Sequence, residues 1–362
     1  MTGAAAVRSP GLRERLQAFG GRAFASPGNA MVTVVLGVVT LVAAVPVVRW
    51  ALVTATWTGT AEDCRAGAGA CWAFVGAKLQ FMVFGLYPPD AQWRALLATV
   101  LLMSLVVMSA LPRFWSRWLI AGWAMGIAAA LWLMGGGLGL PSVPTRMWGG
   151  LPVTLALTAI GLALGFPIGV LMAFGRQSRR PLLRAASATM VEGIRGIPLI
   201  AVLYVAALVF PLALPSGLQV DKLILAQVAV ALFAAAYLGE AVRSGLQMIP
   251  KRQREAAFAL GFTWWRSMRL VILPQALRVV LPSLVSIAVG FFQDTSLVVV
   301  IGLFDLLNTT RLAAQDPDWL GFHTEAYVFA ALLYFAGSSS ITRYGRWLEG
   351  RLRVRGASAI GS

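Results

Sequence analysis

Residues 255–274 read EAAFALGFTWWRSMRLVILP, and the interpretation of the whole chain starts from them. The stretch predicts a helix, a glycine break and a second helix. Glu255, Ala256 and Ala257 form a face of small residues, and Gly261 falls one helical turn beyond Ala257 on the same side. Because those positions carry so little side chain, the surface of another protein can approach this backbone closely.

The charges around this stretch predict which side of a membrane it occupies. Lys and Arg concentrate in the cytoplasmic loops of membrane proteins. Leu273-Pro274 predicts the end of the second helix, because proline lacks an N–H and clashes with the preceding turn. The arginines that mark the stretch as cytoplasmic are Arg254, Arg266, Arg269 and Arg278.

The composition is typical of a membrane protein. Of the 362 residues, 59% are hydrophobic and 12% are charged, and the mean hydropathy is +0.77. A soluble domain carries roughly twice that charged fraction. Several apolar stretches reach the ~20 residues that a helix needs to cross a bilayer. The sequence therefore predicts an all-α, polytopic membrane protein.

The charge and the rare residue types exclude several classes of function. The net charge of +16 is better explained by arginines beside anionic lipid headgroups on one membrane face than by binding to nucleic acid. With His323 as the single histidine, the chain holds no two-histidine metal site. It contains no GxxxxGK[ST] phosphate loop, so any ATP chemistry must come from a partner.

The apolar stretches predict eight spans with both termini in the cytoplasm. In this topology about 22 of the 30 basic residues lie in cytoplasmic loops, which is the expected asymmetry. The first stretch resembles a signal peptide in having arginines before it, but it is long and no clear cleavage site follows it, so we interpret it as a retained span. The leading arginines are Arg8, Arg13, Arg15 and Arg22. The eight predicted spans are 31–53, 95–111, 118–138, 152–174, 186–211, 222–242, 279–301 and 325–341.

Two local features carry structural predictions. Cys64 and Cys71 lie in the predicted extracytoplasmic segment 54–94, where oxidising conditions permit a disulfide; the alternative is two free thiols. In the fourth span, glycine recurs every fourth residue, which gives a smooth stripe for close helix packing in lipid. These glycines are Gly161, Gly165 and Gly169.

The spacing within the opening stretch resembles the coupling-loop motif of ABC importer permeases. That motif has Glu-Ala-Ala, three residues, Gly, nine residues, an aliphatic residue, one more residue and Leu-Pro. Val271 stands where the family usually has isoleucine. The resemblance implies a helix that docks into a groove on a separate ATPase subunit. The alternative is an amphipathic surface helix that ends at a glycine cap.

From about residue 148 onward, the chain resembles the five-span core of the polar amino acid ABC permeases. One family signature, Arg-Gly-Thr-Pro-Leu, is similar to residues 195–199, Arg195-Gly196-Ile197-Pro198-Leu199, which have isoleucine in place of the threonine. Further similarities to the family are Thr154-Leu155, Glu240 with Arg243 and Gly245, and residues 294–297. The three extra spans resemble the larger permease subunit of general L-amino-acid systems. We therefore divide the chain into an extension, 1–147, a core, 148–342, with the coupling loop at 243–278, and a basic cytoplasmic tail, 343–362.

Charged residues inside predicted spans are candidates for a substrate path, since each costs about 2.5–3.5 kcal/mol at the bilayer centre on insertion scales. An acid can bind the ammonium of an amino acid, and an arginine its carboxylate. The alternatives are that Glu240 and Arg243 lie at the cytoplasmic interface, that Asp294 pairs with a neighbouring helix, and that the two hydroxyls serve packing. The candidates are Arg195, Pro198, Glu240, Asp294, Thr295 and Ser296.

The resemblance implies a multi-pass permease of a bacterial inner membrane that imports L-amino acids. Two copies of a separate ATPase would bind ATP and Mg, a periplasmic binding protein would deliver the amino acid, and a second permease, either homologous or a copy of this chain, would complete the path. This chain itself would have no catalytic residue, no metal and no cofactor.

Two other classes of function compete with this interpretation. An ion-coupled secondary transporter of small solutes could use Asp294 and Glu240, but such folds usually contain two matched halves, and no internal repeat is evident. An intramembrane enzyme with a Ser-His dyad would need His323, which falls in a predicted extracytoplasmic loop without a nucleophile signature.

Overall fold

The computed structural model describes residues 20–21, 23–114, 116–215 and 219–358. The chain forms two compact units, Met1–Gly76 and Ala77–Ser362. Four arginines on which the predicted topology partly rests, Arg8, Arg13, Arg15 and Arg22, lie outside the described residues.

The first unit contains a long apolar helix and a small disulfide-closed lobe. The helix α1, Pro27–Val48, begins at a Ser26 cap and continues into a π-helical turn. The lobe contains α2, Ala61–Ala66, which Thr60 and Asp63 cap reciprocally, so the backbone N–H groups of these two residues are satisfied. The structure joins Cys64 and Cys71 in a disulfide, with the two Cα atoms 5.4 Å apart.

The second unit is a bundle of helices with few other elements. A strand of two residues, Phe304–Asp305, forms isolated bridges with Gly149 and Gly150. The helix α3 spans the boundary between the units, and the others belong to the second. The helices are α3, Trp72–Phe84; α4, Gln92–Ala110; α5, Arg117–Gly135; α6, Gly150–Arg176; α7, Pro181–Arg195; α8, Leu199–Tyr204; α9, Lys222–Met248; α10, Lys251–Ala259; α11, Trp264–Ser267; α12, Leu273–Asp294; α13, Leu306–Ala313; and α14, His323–Ser358.

The polytopic, all-helical character predicted from the sequence is confirmed. Within the described ranges, six helices are long and apolar enough to cross a membrane, or seven if one bent pair counts as a single span. The helix α14, which contains the predicted eighth span, is not among them. The number eight therefore stays a prediction.

The predicted fifth span, 186–211, is not one straight helix. It is divided into Pro181–Arg195 and Leu199–Ala213, which meet at 103°. Pro198 cannot donate a backbone hydrogen bond, and a proline disfavours helical geometry at the residue before it. The helix therefore ends at Arg195, and a new one starts after the proline.

The glycine stripe of the fourth span packs against α9, as predicted. A β-carbon on Gly161 would lie 2.8 Å from Val230 Cγ1, and one on Gly165 would lie 2.8 Å from Ala234 Cβ. On Gly169 it would lie 2.7 Å from a backbone carbonyl of α9. Any larger residue at these positions would force the two helices apart.

The predicted domain boundary at 147 does not coincide with a division in the structure. Ala95, Ala98 and Leu102 of α4 share one hydrophobic core with Leu157 of α6 and Phe291 of α12. Small residues at helical spacing let α4 and α5 pack on the bundle, so the second and third predicted spans join the same compact unit as the core.

The predicted loop 302–324 is partly a buried element. Asp305 is fully buried and caps α13 by accepting hydrogen bonds from the N–H groups of Leu307 and Asn308. Tyr334 Oη of α14 donates to Asp305 at 2.6 Å. Thr154 Oγ1 of α6 accepts from the Leu306 N–H at 2.9 Å. Three helices are thereby tied together by polar groups that are shielded from solvent.

Candidate functional site

The first part of the candidate site is the predicted coupling loop. Its first helix, α10, packs against the π-helical turn Met268–Ile272, and Gly261 follows the helix with a φ of +77°. A left-handed backbone is costly for residues with a β-carbon, so glycine suits this break. A β-carbon on Gly261 would meet no atom within 4 Å, so the glycine is needed for conformation and not for space inside the chain.

The interpretation of this loop as a single small-residue face is wrong in two respects. Ala257 is 3% exposed and faces the chain itself, whereas Glu255 and Ala256 are exposed. Gly261 lies beyond the end of α10 and is not the next turn of its face. Placing Gly261 one turn beyond Ala257 on the same face requires helical geometry as far as residue 261, whereas the helix ends at Ala259 and Gly261 is left-handed.

Leu273-Pro274 does not end the second helix. The helical segment runs from Trp264 to Ile301, through a π-helical turn at Met268–Ile272 and into α12 at Leu273. Pro274 occupies the first turn after the π-helical turn, where its missing N–H is tolerated. Val271, Leu273 and Pro274 are half-buried within this continuous segment, which extends from the loop through the predicted seventh span.

The second part of the site is a cavity of about 650 Å³ between α7, α8, α9 and α12. Three of the predicted path residues line it: Arg195, Pro198 and Asp294. The break in the fifth span places Arg195 and Pro198 there, because one ends α7 and the other precedes α8. The remaining lining residues are Gly196, Ile197, Leu199, Phe233, Tyr237, Ser286, Ile287, Gly290, Phe291 and Leu297.

Arg195 is held in this cavity by two neighbours on α9. Its guanidinium carbon lies 5.2 Å from the centre of the Tyr237 ring, a cation–π distance. Its Nη1 lies 3.9 Å from Glu240 Oε2. The arginine side chain is 37% exposed, so it remains open to a ligand.

Glu240 itself does not line the cavity but belongs to an ion-pair cluster beside it. Its Oε2 accepts from Arg176 Nη1 at 2.7 Å and from Arg243 Nε at 2.9 Å. Arg176 also donates to Glu192 Oε1 at 2.6 Å. Glu240 therefore has a structural role in linking α6 to α9, in keeping with the alternative that placed it outside the substrate path.

Asp294 lies at the end of α12, where it lines the cavity, and in the described part of the chain it makes no ion pair. Thr295 and Ser296 do not line the cavity. Thr295 is 2% exposed and donates to the Phe292 carbonyl at 2.9 Å. The helix tightens to 3₁₀ geometry after Asp294, which turns the two residues that follow it away from the cavity.

Sequence reasoning missed the aromatic wall of the cavity. Phe233 and Tyr237 have ring centres 4.9 Å apart, and Phe233 also contacts Phe291 at 5.9 Å. The sequence contained a signal for this wall, because residues 233, 237 and 240 share one face of a helix.

Across the described residues, no group of three or more metal-ligating side chains is arranged to hold a metal ion.

Comparison with known proteins assigns the chain to a family. Residues 165–354, more than half of the chain, match the family described as binding-protein-dependent transport system inner membrane component. The chain belongs to this family. The permease is thus a multi-pass inner-membrane component of an ABC importer, and membership of this family favours the importer over the ion-coupled transporter and over an enzyme.

Relatives of the permease match it over most of its length. It is 45% identical to the Escherichia coli K12 inner membrane amino-acid ABC transporter permease protein YhdY, over 85% of each chain. It is 33% identical to the Rhodobacter capsulatus glutamate/glutamine/aspartate/asparagine transport system permease protein BztC, over 91% of this chain and 92% of that one. Both alignments are longer than the family match at residues 165–354, so the similarity includes much of the extension that precedes the core.

The core of the permease is also similar to a solved structure. A chain from the crystal structure of an amino acid ABC transporter with histidines aligns with a TM-score of 0.50 and 28% identity. The match covers 56% of this chain and 92% of that one.

Proposed function

We propose that this permease imports L-amino acids and that the cavity at the break between α7 and α8 is its part of the translocation path. The observation that carries the proposal is that Arg195 and Asp294, predicted from separate motifs, line one cavity. A zwitterionic amino acid carries one group for each of them. The names of the relatives support the same class of substrate.

In this proposal Arg195 binds the substrate carboxylate and Asp294 its ammonium. A guanidinium matches a carboxylate with two parallel hydrogen bonds. The Tyr237 ring and the more distant Glu240 carboxylate hold Arg195 near the cavity without a close ion pair, so it stays available. The aromatic wall formed by Phe233 and Phe291 gives the cavity an apolar side, and polar contacts are stronger beside a region of low dielectric constant.

Partner subunits supply the energy and deliver the substrate. Two ATPase subunits bind ATP and Mg and dock on the exposed side of α10, where Glu255 and Ala256 face outward. A second permease, homologous or a copy of this chain, completes the path, and a periplasmic binding protein delivers the amino acid. ATP binding closes the ATPase pair, and the continuous helical segment Trp264–Ile301 carries that motion to Asp294.

The test compares two glycines at opposite ends of that segment. Gly261 has a φ of +77° and Gly302 a φ of +80°, and a β-carbon on either would meet no atom within 4 Å. Replacement of either by aspartate therefore imposes the same backbone strain and the same charge. We expect Gly261→Asp to abolish ATP-driven uptake of amino acids and to lose the co-purifying ATPase, whereas Gly302→Asp retains both.

Uptake would be measured in proteoliposomes, with membrane insertion checked by yield and by thermal unfolding. Full uptake by Gly261→Asp, or purification of a chain that transports without any ATPase, would overturn the proposal. For the substrate path, Asp294→Asn is expected to reduce uptake at least tenfold with the ATPase still bound. Unchanged uptake and specificity in that variant would remove Asp294 from the path.

A further inference from the structure

A second cavity, of about 510 Å³, lies where the C-terminal end of α6 meets α7 and α9. Its polar lining consists of Arg176, Arg184 and Arg243 with the amides of Gln177 and Gln247, and no acidic residue lines it. It lies toward the end of the bundle from which α9 leads into α10. The cavity is thus a basic pocket between helices on the side of the predicted coupling loop.

The hydrogen-bond donors around this cavity outnumber the hydrogen-bond acceptors available to them. Gln177 Nε2 is buried and has no hydrogen-bond acceptor. The two acids of the neighbouring cluster, Glu192 and Glu240, already bond to Arg176, and Glu240 also bonds to Arg243. Arg184 is exposed and forms no ion pair in the described part of the chain.

The N-terminus of α7 adds further positive charge at this cavity. This helix has 15 residues, and its N-cap residue makes no side-chain hydrogen bond to the first turn. The unsatisfied N–H groups there carry the positive end of the helix dipole. Pro181, the first residue of α7, lines the cavity. All these features favour an anionic ligand with several acceptor oxygens.

We propose that this cavity binds the phosphate group of an anionic membrane lipid. Guanidinium groups match phosphate oxygens in paired hydrogen bonds, and basic pockets between membrane helices on the cytoplasmic side favour anionic headgroups. Apolar surface for an acyl chain is present in the same first turn of α7, because Leu182, which follows Pro181 in the chain, is 82% exposed. A free phosphate would make no use of that surface.

The site also borders the transport cavity through one carboxylate. A phosphate bound to Arg176 and Arg243 competes with Glu240 for both arginines, and Glu240 also faces Arg195. Lipid occupancy would therefore change how firmly Arg195 is held. This link to transport rests on the proposed function, whereas binding of the lipid does not.

The test measures lipid binding to the purified complex of the full chain with its co-purifying partners. The complex is placed in nanodiscs of phosphatidylcholine with a minor fraction of phosphatidylglycerol, and retained phosphatidylglycerol is counted by native mass spectrometry. Arg184→Gln removes one charge from the cavity. Arg179→Gln is the matched control, because Arg179 is exposed in the same basic segment but does not line the cavity.

We expect Arg184→Gln to weaken retention of phosphatidylglycerol about fivefold or more and Arg179→Gln to change it less than twofold. Gln177→Leu removes an unpaired donor without changing charge and is expected to weaken retention too. Equal losses in both arginine variants would show that binding follows surface charge, and this would overturn the proposal. Unchanged retention in both Arg184→Gln and Gln177→Leu would overturn it as well.

Inorganic phosphate distinguishes the two sources of the anion. Displacement of the lipid by millimolar phosphate would assign the cavity to a soluble ligand and refute the lipid, whereas retention supports it. ATP-driven uptake of amino acids by the wild-type complex in proteoliposomes tests the proposed function separately. Uptake without retention of phosphatidylglycerol by the wild type would refute the lipid site alone, and retention without uptake would refute the proposed function alone.

Discussion

Replacing Glu240 with glutamine should destabilise the permease through the arginines that it leaves behind. In the structure one carboxylate serves Arg176, Arg243 and, more loosely, Arg195. The side chains of Glu240 and Arg176 are 18% and 14% exposed, so solvent does little to replace a lost partner. Glu240→Gln keeps the shape of the side chain but leaves these cations crowded together without their shared anion.

The size of the effect follows from burial. Removing one partner of a buried ion pair costs about 3–5 kcal/mol, because the other charge remains uncompensated. Glutamine keeps one acceptor oxygen, and Arg176 keeps its ion pair with Glu192. The contact to Arg195 is long and partly exposed, so it adds little. We therefore expect a loss near the lower limit, about 3 kcal/mol, which for a chain of 362 residues corresponds to a fall in melting temperature of roughly 4 °C.

The assay is thermal unfolding of the purified complex, followed by tryptophan fluorescence, in a double-mutant cycle. Arg176→Gln in the Glu240→Gln background removes one uncompensated charge, so the double variant should lose less than the sum of the single losses, with a coupling energy of about 1–3 kcal/mol. Glu62→Gln, at an exposed position that forms no ion pair in the described part of the chain, is the control and should not change the melting temperature. A strictly additive cycle, or an unchanged melting temperature in Glu240→Gln, would refute this reasoning.

Two further predictions concern packing and pH. Gly165→Ala should destabilise the fold by about 1–2 kcal/mol, because overpacking costs about 1–3 kcal/mol and exceeds the gain in helix propensity. Gly193→Ala should not destabilise it, because a β-carbon there meets no atom within 4 Å. Equal melting temperatures for the two variants would contradict the close approach of α6 and α9. Lys78 donates to Asp316 at 2.6 Å and lowers the pKa of that carboxyl. Because the folded-state pKa is depressed, Asp316→Asn should melt below the wild type at pH 5–7, and the difference should fade as the pH falls below 3.8; a difference that persists at lower pH would argue against the ion pair.

The sequence identified the separate parts of the candidate site better than their relations to one another. Charge inside a span is expensive, which singles out Arg195 and Asp294 from the sequence, and both line the cavity. Thr295 and Ser296 follow Asp294 in the chain, but the 3₁₀ turn directs them elsewhere. Whether a neighbour in sequence is also a neighbour in the cavity depends on backbone geometry, which the residue types did not specify here.

The role of Glu240 could not be predicted from the sequence either. Its position in a span suggested a contact with substrate, and its nearness to Arg243 suggested a place at the interface. The decisive partner, Arg176, is 64 residues away in the chain and becomes a neighbour only because the glycines of α6 let that helix approach α9. Long-range pairs of this kind have no local signature.

The sequence by itself determined that this is a polytopic helical membrane protein, which helix would carry the glycine stripe, and which loop resembles an ATPase-docking motif. These conclusions rest on hydropathy, residue size and motif spacing, which are local properties of the chain. Only the tertiary structure decided that the predicted fifth span breaks at Pro198, that the predicted coupling loop continues into one helical segment as far as Ile301, and that two cavities adjoin the Glu240 cluster. Those features depend on where helices bend and cross, because the energy that fixes them is shared among residues far apart in sequence.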